Sequence, residues 1–287
     1  MVNRISCTGL VKRYKEFRLG PIDFHLPAGY IMGIIGPNGA GKTTTLKLLL
    51  DMQRLDAGEL SINSAGTITA RQQARDQLGV CLDTTVFPDS WTCKQINDNM
   101  ALFFTNWDTV EFFALLKQFD VNEKTRYRKL SKGTQTKVNL AVALSHHADL
   151  LILDEPASGL DPIARDELLD LLQSYIADGN ASVLLSSHLT EDLEKITDYL
   201  LYIVDGQQVF FGETQALLEQ YILIQGGLNE ITNLIRTKGI GLRCTPVGFS
   251  AIIPRDLIAE IDKNLTQAPV NLEELMRYFG KRGTADA

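Results

Sequence analysis

The residues from Gly36 to Thr44 have the types and spacing to hold a chain of phosphates. Gly36-Pro37-Asn38-Gly39-Ala40-Gly41-Lys42-Thr43-Thr44 reads G-x-x-x-x-G-K-T, a pattern whose glycines leave backbone N–H groups free to converge on phosphate oxygens. Lys42 would reach the β- and γ-phosphates, and the Thr43 hydroxyl would ligate Mg²⁺. Such a loop works only between a buried strand and a helix start, where the helix dipole adds positive potential. Both flanks are present: Tyr30-Ile31-Met32-Gly33-Ile34-Ile35 is an apolar run suited to a strand, and Thr44 to Leu50 reads as a helix with one apolar face. Nucleotide binding is therefore expected.

A second chemical pair stands at Asp154 and Glu155, at the end of the apolar run Leu150-Leu151-Ile152-Leu153. Downstream of a phosphate loop, the first carboxylate is placed to hold Mg²⁺. The second is placed to activate a water beside the γ-phosphate as general base.

The elements that must position these groups follow from periodicity. Residues 1–30 alternate apolar and polar around turns at Leu19-Gly20-Pro21 and Pro27-Ala28-Gly29, which suggests short antiparallel strands. Further strands are expected at 58–63, 78–82, 182–187, 199–204 and 207–211. Residues 92–128 have helical period, helices are expected at 135–145 and 190–196, and Asp161-Pro162 is a cap and first turn for another. Strands alternating with helices give an α/β sandwich around a mostly parallel sheet. Past Gly212 the order becomes helix 213–221, strand 222–225, helix 228–238, strands 240–244 and 247–253, helix 254–264 and helix 271–279. This predicts a division into a domain over 1–221 and a small C-terminal α/β unit over 222–287. Every motif lies upstream of 222, so a chain ending there is expected to keep a folded domain that binds nucleotide.

Composition narrows the classes further. The chain has 287 residues, 45% hydrophobic, with 28 Lys+Arg against 35 Asp+Glu and a net charge of −7. That balance gives no bulk attraction to nucleic acid or an anionic membrane, and no nucleic-acid partner is expected. Cys7, Cys81, Cys93 and Cys244 form no C-x-x-C, so neither zinc nor redox chemistry is suggested. The start lacks the apolar core of a signal peptide, and no run approaches a membrane span; a cytoplasmic protein is expected. His25, His146 and His147 read as structural.

With these motifs in order, residues 4–220 resemble the ATP-binding cassette (ABC) ATPases, the motor subunits of ABC transporters. Tyr14, in Leu10-Val11-Lys12-Arg13-Tyr14, matches the aromatic that stacks on adenine. Leu130-Ser131-Lys132-Gly133-Thr134-Gln135 is similar to the signature L-S-G-G-Q. Asp154-Glu155 lead into Pro156-Ala157-Ser158-Gly159-Leu160-Asp161, close to E-P-x-x-G-L-D, and His188 matches the switch histidine. The resemblance implies a phosphate-loop ATPase core with an antiparallel β subdomain and a helical subdomain. It implies ATP and Mg²⁺ as cofactors and a second ATPase subunit, so that Ser131 and Gly133 address the γ-phosphate of the partner's ATP. His188 would hydrogen-bond the γ-phosphate and position the water. Membrane-spanning permeases on separate chains would hold the protein at the inner face of the cell membrane. The rival implication is a soluble ABC-type nucleotide switch not coupled to transport. Two departures stand out. Lys132 and Thr134 replace the usual Gly and Gln of the signature. Asp83 stands where the family usually has a Gln that touches Mg²⁺ and faces the membrane subunit. Asp83 is thus either a metal ligand or a docking residue.

Overall fold

A parallel sheet and the alternation of side chains across it account for most of the architecture. The computed structural model describes residues 2–64, 74–82, 87–262 and 264–279. The strands are β1 (Asn3–Arg13), β2 (Arg18–Pro27), β3 (Ile31–Ile35), β4 (Ala57–Ile62), β5 (Leu78–Cys81), β6 (Leu150–Asp154), β7 (Ser182–Ser186), β8 (Tyr199–Val204), β9 (Gln207–Glu213), β10 (Tyr221–Gly226), β11 (Ile240–Thr245), β12 (Gly248–Pro254) and β13 (Thr266–Pro269). The central sheet has the order β5-β6-β7-β3-β8-β9, parallel except for β9 at its edge.

Strands β3, β6 and β7 are buried along their whole length, as expected of a parallel sheet covered on both faces. Successive residues point to opposite faces, so the strands feed two separate cores. Met32, Ile34, Leu150, Ile152 and Leu184 pack with the antiparallel sheet β2-β1-β4 and with α1 (Lys42–Leu49). Ile31, Ile35, Leu151, Leu153, Val183 and Leu185 face the other way. There they meet α2 (Cys93–Phe103), α3 (Thr109–Gln118), α4 (Lys132–Leu144), α5 (Pro162–Ile176) and α6 (Thr190–Ile196).

The stretch expected to be helical over 92–128 is two helices, because Asp108 caps a second one by accepting from the Glu111 N–H. The helix expected at 135–145 starts three residues earlier, at Lys132, since Ser131 is its N-cap. Beyond α7 (Thr214–Glu219), the C-terminal sheet has the order β11-β12-β10-β13, followed by α9 (Leu272–Phe279), with α8 (Asn233–Lys238) between β10 and β11. The helix expected at 254–264 is a 3₁₀ segment over Arg255–Glu260, and β13 follows it.

This second sheet also has two faces. Ile222, Ile224, Phe249, Ala251 and Ile253 form a small core with Ile235 of α8. Leu223 and Ile252 turn the other way and join the helix-covered core of the central sheet, together with Leu272, Leu275 and Phe279 of α9. Apolar packing is thus continuous across residue 221.

Candidate functional site

The parallel register brings the chemistry-bearing residues to one edge. β3 ends directly before Gly36, β6 ends at Asp154, and Asp154 is paired in register with Ser186 at the end of β7. The phosphate loop, the carboxylate pair and His188 therefore all leave the carboxyl ends of three adjacent strands, where open α/β sheets bind ligands.

The loop is shaped by close approach. A Cβ on Gly36 would collide with the Ile203 carbonyl oxygen of β8, so only glycine lets the chain turn there. The turn closes through Ala40 N–H to Pro37 O at 3.1 Å, and α1 begins with Thr45 N–H to Gly41 O at 2.8 Å. Lys42 lies buried against the loop, its Nζ donating to Gly36 O at 2.7 Å. Burial lowers the Lys42 pKa, and the Glu155 and Asp154 carboxylates pull it back up. The net shift is downward: the two carboxylates offset only part of what burial costs the cation.

Thr43 Oγ1 donates to Asp154 Oδ2 at 3.1 Å. Asp154 is buried, and its other oxygen accepts from Ser186 Oγ at 2.5 Å. Ser186 was not singled out in the sequence; its register opposite Asp154 is what gives it a part. Glu155 occupies the left-handed region at φ 52, a conformation that costs a non-glycine residue about 1–2 kcal/mol. It is held there by its N–H, which donates to Ser186 O at 3.1 Å and lies 3.2 Å from Ser186 Oγ. His188 fixes the carboxylate itself: ring Nδ1 lies 2.5 Å, and backbone N 3.3 Å, from Glu155 Oε2. The structure thus brings Lys42, Thr43, Asp154, Glu155 and His188 together.

Tyr14 is 42% exposed and lies 6.1 Å, ring to ring, from Phe17. Its hydroxyl is hydrogen-bonded to Gln53. Phe17 itself reaches the phosphate loop, since a Cβ on Gly41 would stand 3.3 Å from its Cζ. Phe17 is a second aromatic at this end that sequence reading passed over. Ser131 caps α4, accepting from Thr134 N–H at 3.1 Å. A Cβ on Gly133 would sit 2.5 Å from the Gly159 carbonyl oxygen, so Gly133 is also required by packing against the loop after Glu155. Asp83 lies outside the described residues. His146 is buried, stacked on Phe104 with its ring nitrogens 3.1 and 3.0 Å from the Val142 and Leu78 carbonyls.

Fold and site together are those of a phosphate-loop ATPase: a glycine-rich loop ahead of a helix, a hydrogen-bonded Thr43–Asp154 pair, and the Glu155 carboxylate fixed beside it by His188. A family model described as ABC transporter matches residues 19–158. The ABC transporter ATP-binding protein YtrB of Bacillus subtilis (strain 168) is 27% identical over 275 residues, covering 92% of this chain and 94% of that protein. The Nod factor export ATP-binding protein I of Burkholderia orbicola (strain AU 1054) is 32% identical over 231 residues, covering 76% of this chain and 73% of that protein. Among solved structures, the ATP-binding subunit of an ABC transporter superimposes with a TM-score of 0.69 at 26% identity, over 75% of this chain and 92% of that one. A dimeric ATP-binding cassette in a post-hydrolysis state, bound to ADP and Pi, shares the fold with a TM-score of 0.65 at 19% identity, over 73% of this chain and 98% of that one. The chain belongs to the ABC transporter ATP-binding family. It is an ATP-binding and ATP-hydrolysing subunit, and the family favours coupling to transport over a free-standing nucleotide switch. Among the described residues no helix is long and apolar enough to cross a membrane.

Proposed function

We propose that Glu155 and His188 carry the hydrolytic step, and that two cassettes close around MgATP to drive membrane subunits on separate chains. The observation that supports this is the hydrogen-bonded chain Thr43–Asp154–Ser186 beside Glu155–His188, all at one strand edge. Glu155 takes a proton from water as the water oxygen attacks the γ-phosphorus. The bond from that phosphorus to the β–γ bridging oxygen breaks, and ADP and inorganic phosphate leave. Lys42 and the backbone N–H groups of 36–44 hold the phosphates. Thr43 and Asp154 offer the hard oxygen donors that Mg²⁺ prefers. When bound, Mg²⁺ would neutralise charge on the β- and γ-phosphates.

Tyr14 stacks on adenine in this reading, and Ser131 and Gly133 at the start of α4 meet the γ-phosphate of the partner subunit's ATP. The segment 222–287 is an accessory unit on the 1–221 cassette. The similarity to YtrB covers 92% of this chain, so it continues past residue 221. An apolar cleft of about 580 Å³, lined by Leu50, Val80, Phe87, Trp91, Phe103 and Phe104, suits an apolar segment of the permease. Docking there places the protein at the inner face of the membrane.

Two substitutions test the arrangement. Lys42→Ala is expected to abolish ATP binding, because it removes the cation opposite the β- and γ-phosphates. Ser131→Arg is expected to keep ATP binding in the monomer and to block dimer closure with MgATP. Equal loss of binding in both, measured with a fluorescent ATP analogue, would overturn a role for the signature in trans. For Asp83, titration of turnover against Mg²⁺ separates its two roles. A metal ligand should shift the curve on Asp83→Gln, whereas superimposable curves make it a docking residue.

A further inference from the structure

α6, the helix that follows the switch histidine, is fastened by side chains from elsewhere in the chain. It has seven residues and starts two residues after His188, with Leu189 at its N-cap giving no side-chain cap. A helix so short has no stability of its own, so tertiary contacts decide where it lies. On one side, Asp192 faces Arg165 of α5 as an ion pair without a hydrogen bond, Oδ2 to Nε at 3.5 Å. Beneath, Leu193 and Ile196 are buried in the helix-covered core. On the third side is the C-terminal unit. Glu194 Oε2 accepts from the backbone N–H of Leu272 at 2.9 Å, a contact spanning 78 residues. Leu272 is the first residue of α9. The first N–H groups of a helix have no partner within it. In α9, Asn271 Oδ1 satisfies Glu274 N–H at 2.8 Å, and Glu194 supplies the acceptor for Leu272. The same side of α9 sends Leu272 and Leu275 into the core that holds Leu193 and Ile196.

We infer that Glu194 is a positioning residue through which the C-terminal unit sets the placement of His188, and hence the rate of the hydrolytic step. The inference rests on the reading of His188 and Glu155 as the acting pair. His188 touches Glu155 Oε2 with both its ring and its backbone, so movement of α6 relative to β7 is transmitted to the base. Misplacement of a reacting group by about 1 Å can cost roughly 100-fold in rate, and loosening one of three fastenings should cost a part of that. The phosphate loop and α1 pack on the opposite face of the central sheet, so nucleotide affinity should not follow.

The test is a double-mutant cycle on the full chain with MgATP, reading kcat, KM and thermal midpoint. Glu194→Ala should lower kcat about three- to tenfold with KM for ATP within about twofold. Glu194→Gln should restore most of the rate, because its amide oxygen still accepts from Leu272 N–H. In a His188→Ala background, Glu194→Ala should have no further effect. Wild-type kcat for Glu194→Ala, a full additional loss in the His188→Ala background, or failure of Glu194→Gln to rescue would each overturn the inference. A Glu194→Ala chain that does not fold would make the contact structural and overturn it too. A His188→Ala chain with wild-type turnover would instead overturn the reading of the site itself, whatever Glu194 does.

Discussion

Glu155→Gln is expected to lower ATP turnover by about 10²–10⁴-fold, the range that a positioned general base supplies, while ATP still binds. The geometry makes this a clean substitution. The amide is isosteric with the carboxylate, and its oxygen can keep accepting from the His188 ring and N–H that now meet Oε2. The backbone of residue 155 stays tied to Ser186. What is lost is the capacity to take the water's proton. Lys42 loses the larger of the two anionic contributions that raise its pKa, and Asp154 remains as the other. Closed dimers should therefore accumulate with MgATP, visible by size-exclusion chromatography, and release of phosphate should stop. Turnover at the wild-type rate would mean that another group, or the phosphate itself, takes the proton.

The site was legible in the sequence to the extent that its geometry is local. Residues 36–44 fix their own loop, and Asp154-Glu155 follow a short continuous apolar run that reads as a buried strand. His188 is legible only through its match to the family's switch histidine at the end of a strand. Ser186 is not legible, because its partner Asp154 comes from β6, and only the in-register pairing of β6 with β7 joins them. Phe17 was missed for the same reason: its neighbour is Gly41 across a sheet boundary. Gly133 illustrates a role that sequence reading assigned to phosphate while packing also demands it, since its contact is the carbonyl of Gly159. In the C-terminal unit, residues 254–264 have helical spacing, yet the structure forms only a 3₁₀ segment there. β13, which pairs with β10, begins only at Thr266, beyond the stretch expected to be helical.

Removing residues 222–287 is expected to lower the thermal midpoint by roughly 6–24 °C, against the expectation that a sequence boundary at 221 raises. The reason is the continuity of the core. Tyr202 of β8 stands 6.1 Å and Tyr221 5.3 Å, ring to ring, from Phe279 of α9. Leu193, Ile196, Tyr202 and Leu217 are all buried in the cluster that includes Leu223, Ile252, Leu272, Leu275 and Phe279. Fully burying such a side chain contributes about 1.5–3 kcal/mol. Uncovering four of them only halfway loses roughly 3–6 kcal/mol, a large share of the 5–15 kcal/mol typical of a folded domain. At about 2–4 °C per kcal/mol for a chain of this size, a shift of roughly 6–24 °C follows. The phosphate loop lies on the other face of the sheet, in a core that the deletion does not touch. ATP affinity measured below the new midpoint should therefore survive, while turnover falls because α6 has lost its contact at Leu272. Calorimetry, ATP binding and turnover on the 1–221 chain beside the full chain give the answer. A midpoint within about 3 °C of the full chain would mean that the apolar contacts across residue 221 contribute little, and that the two parts are energetically separate.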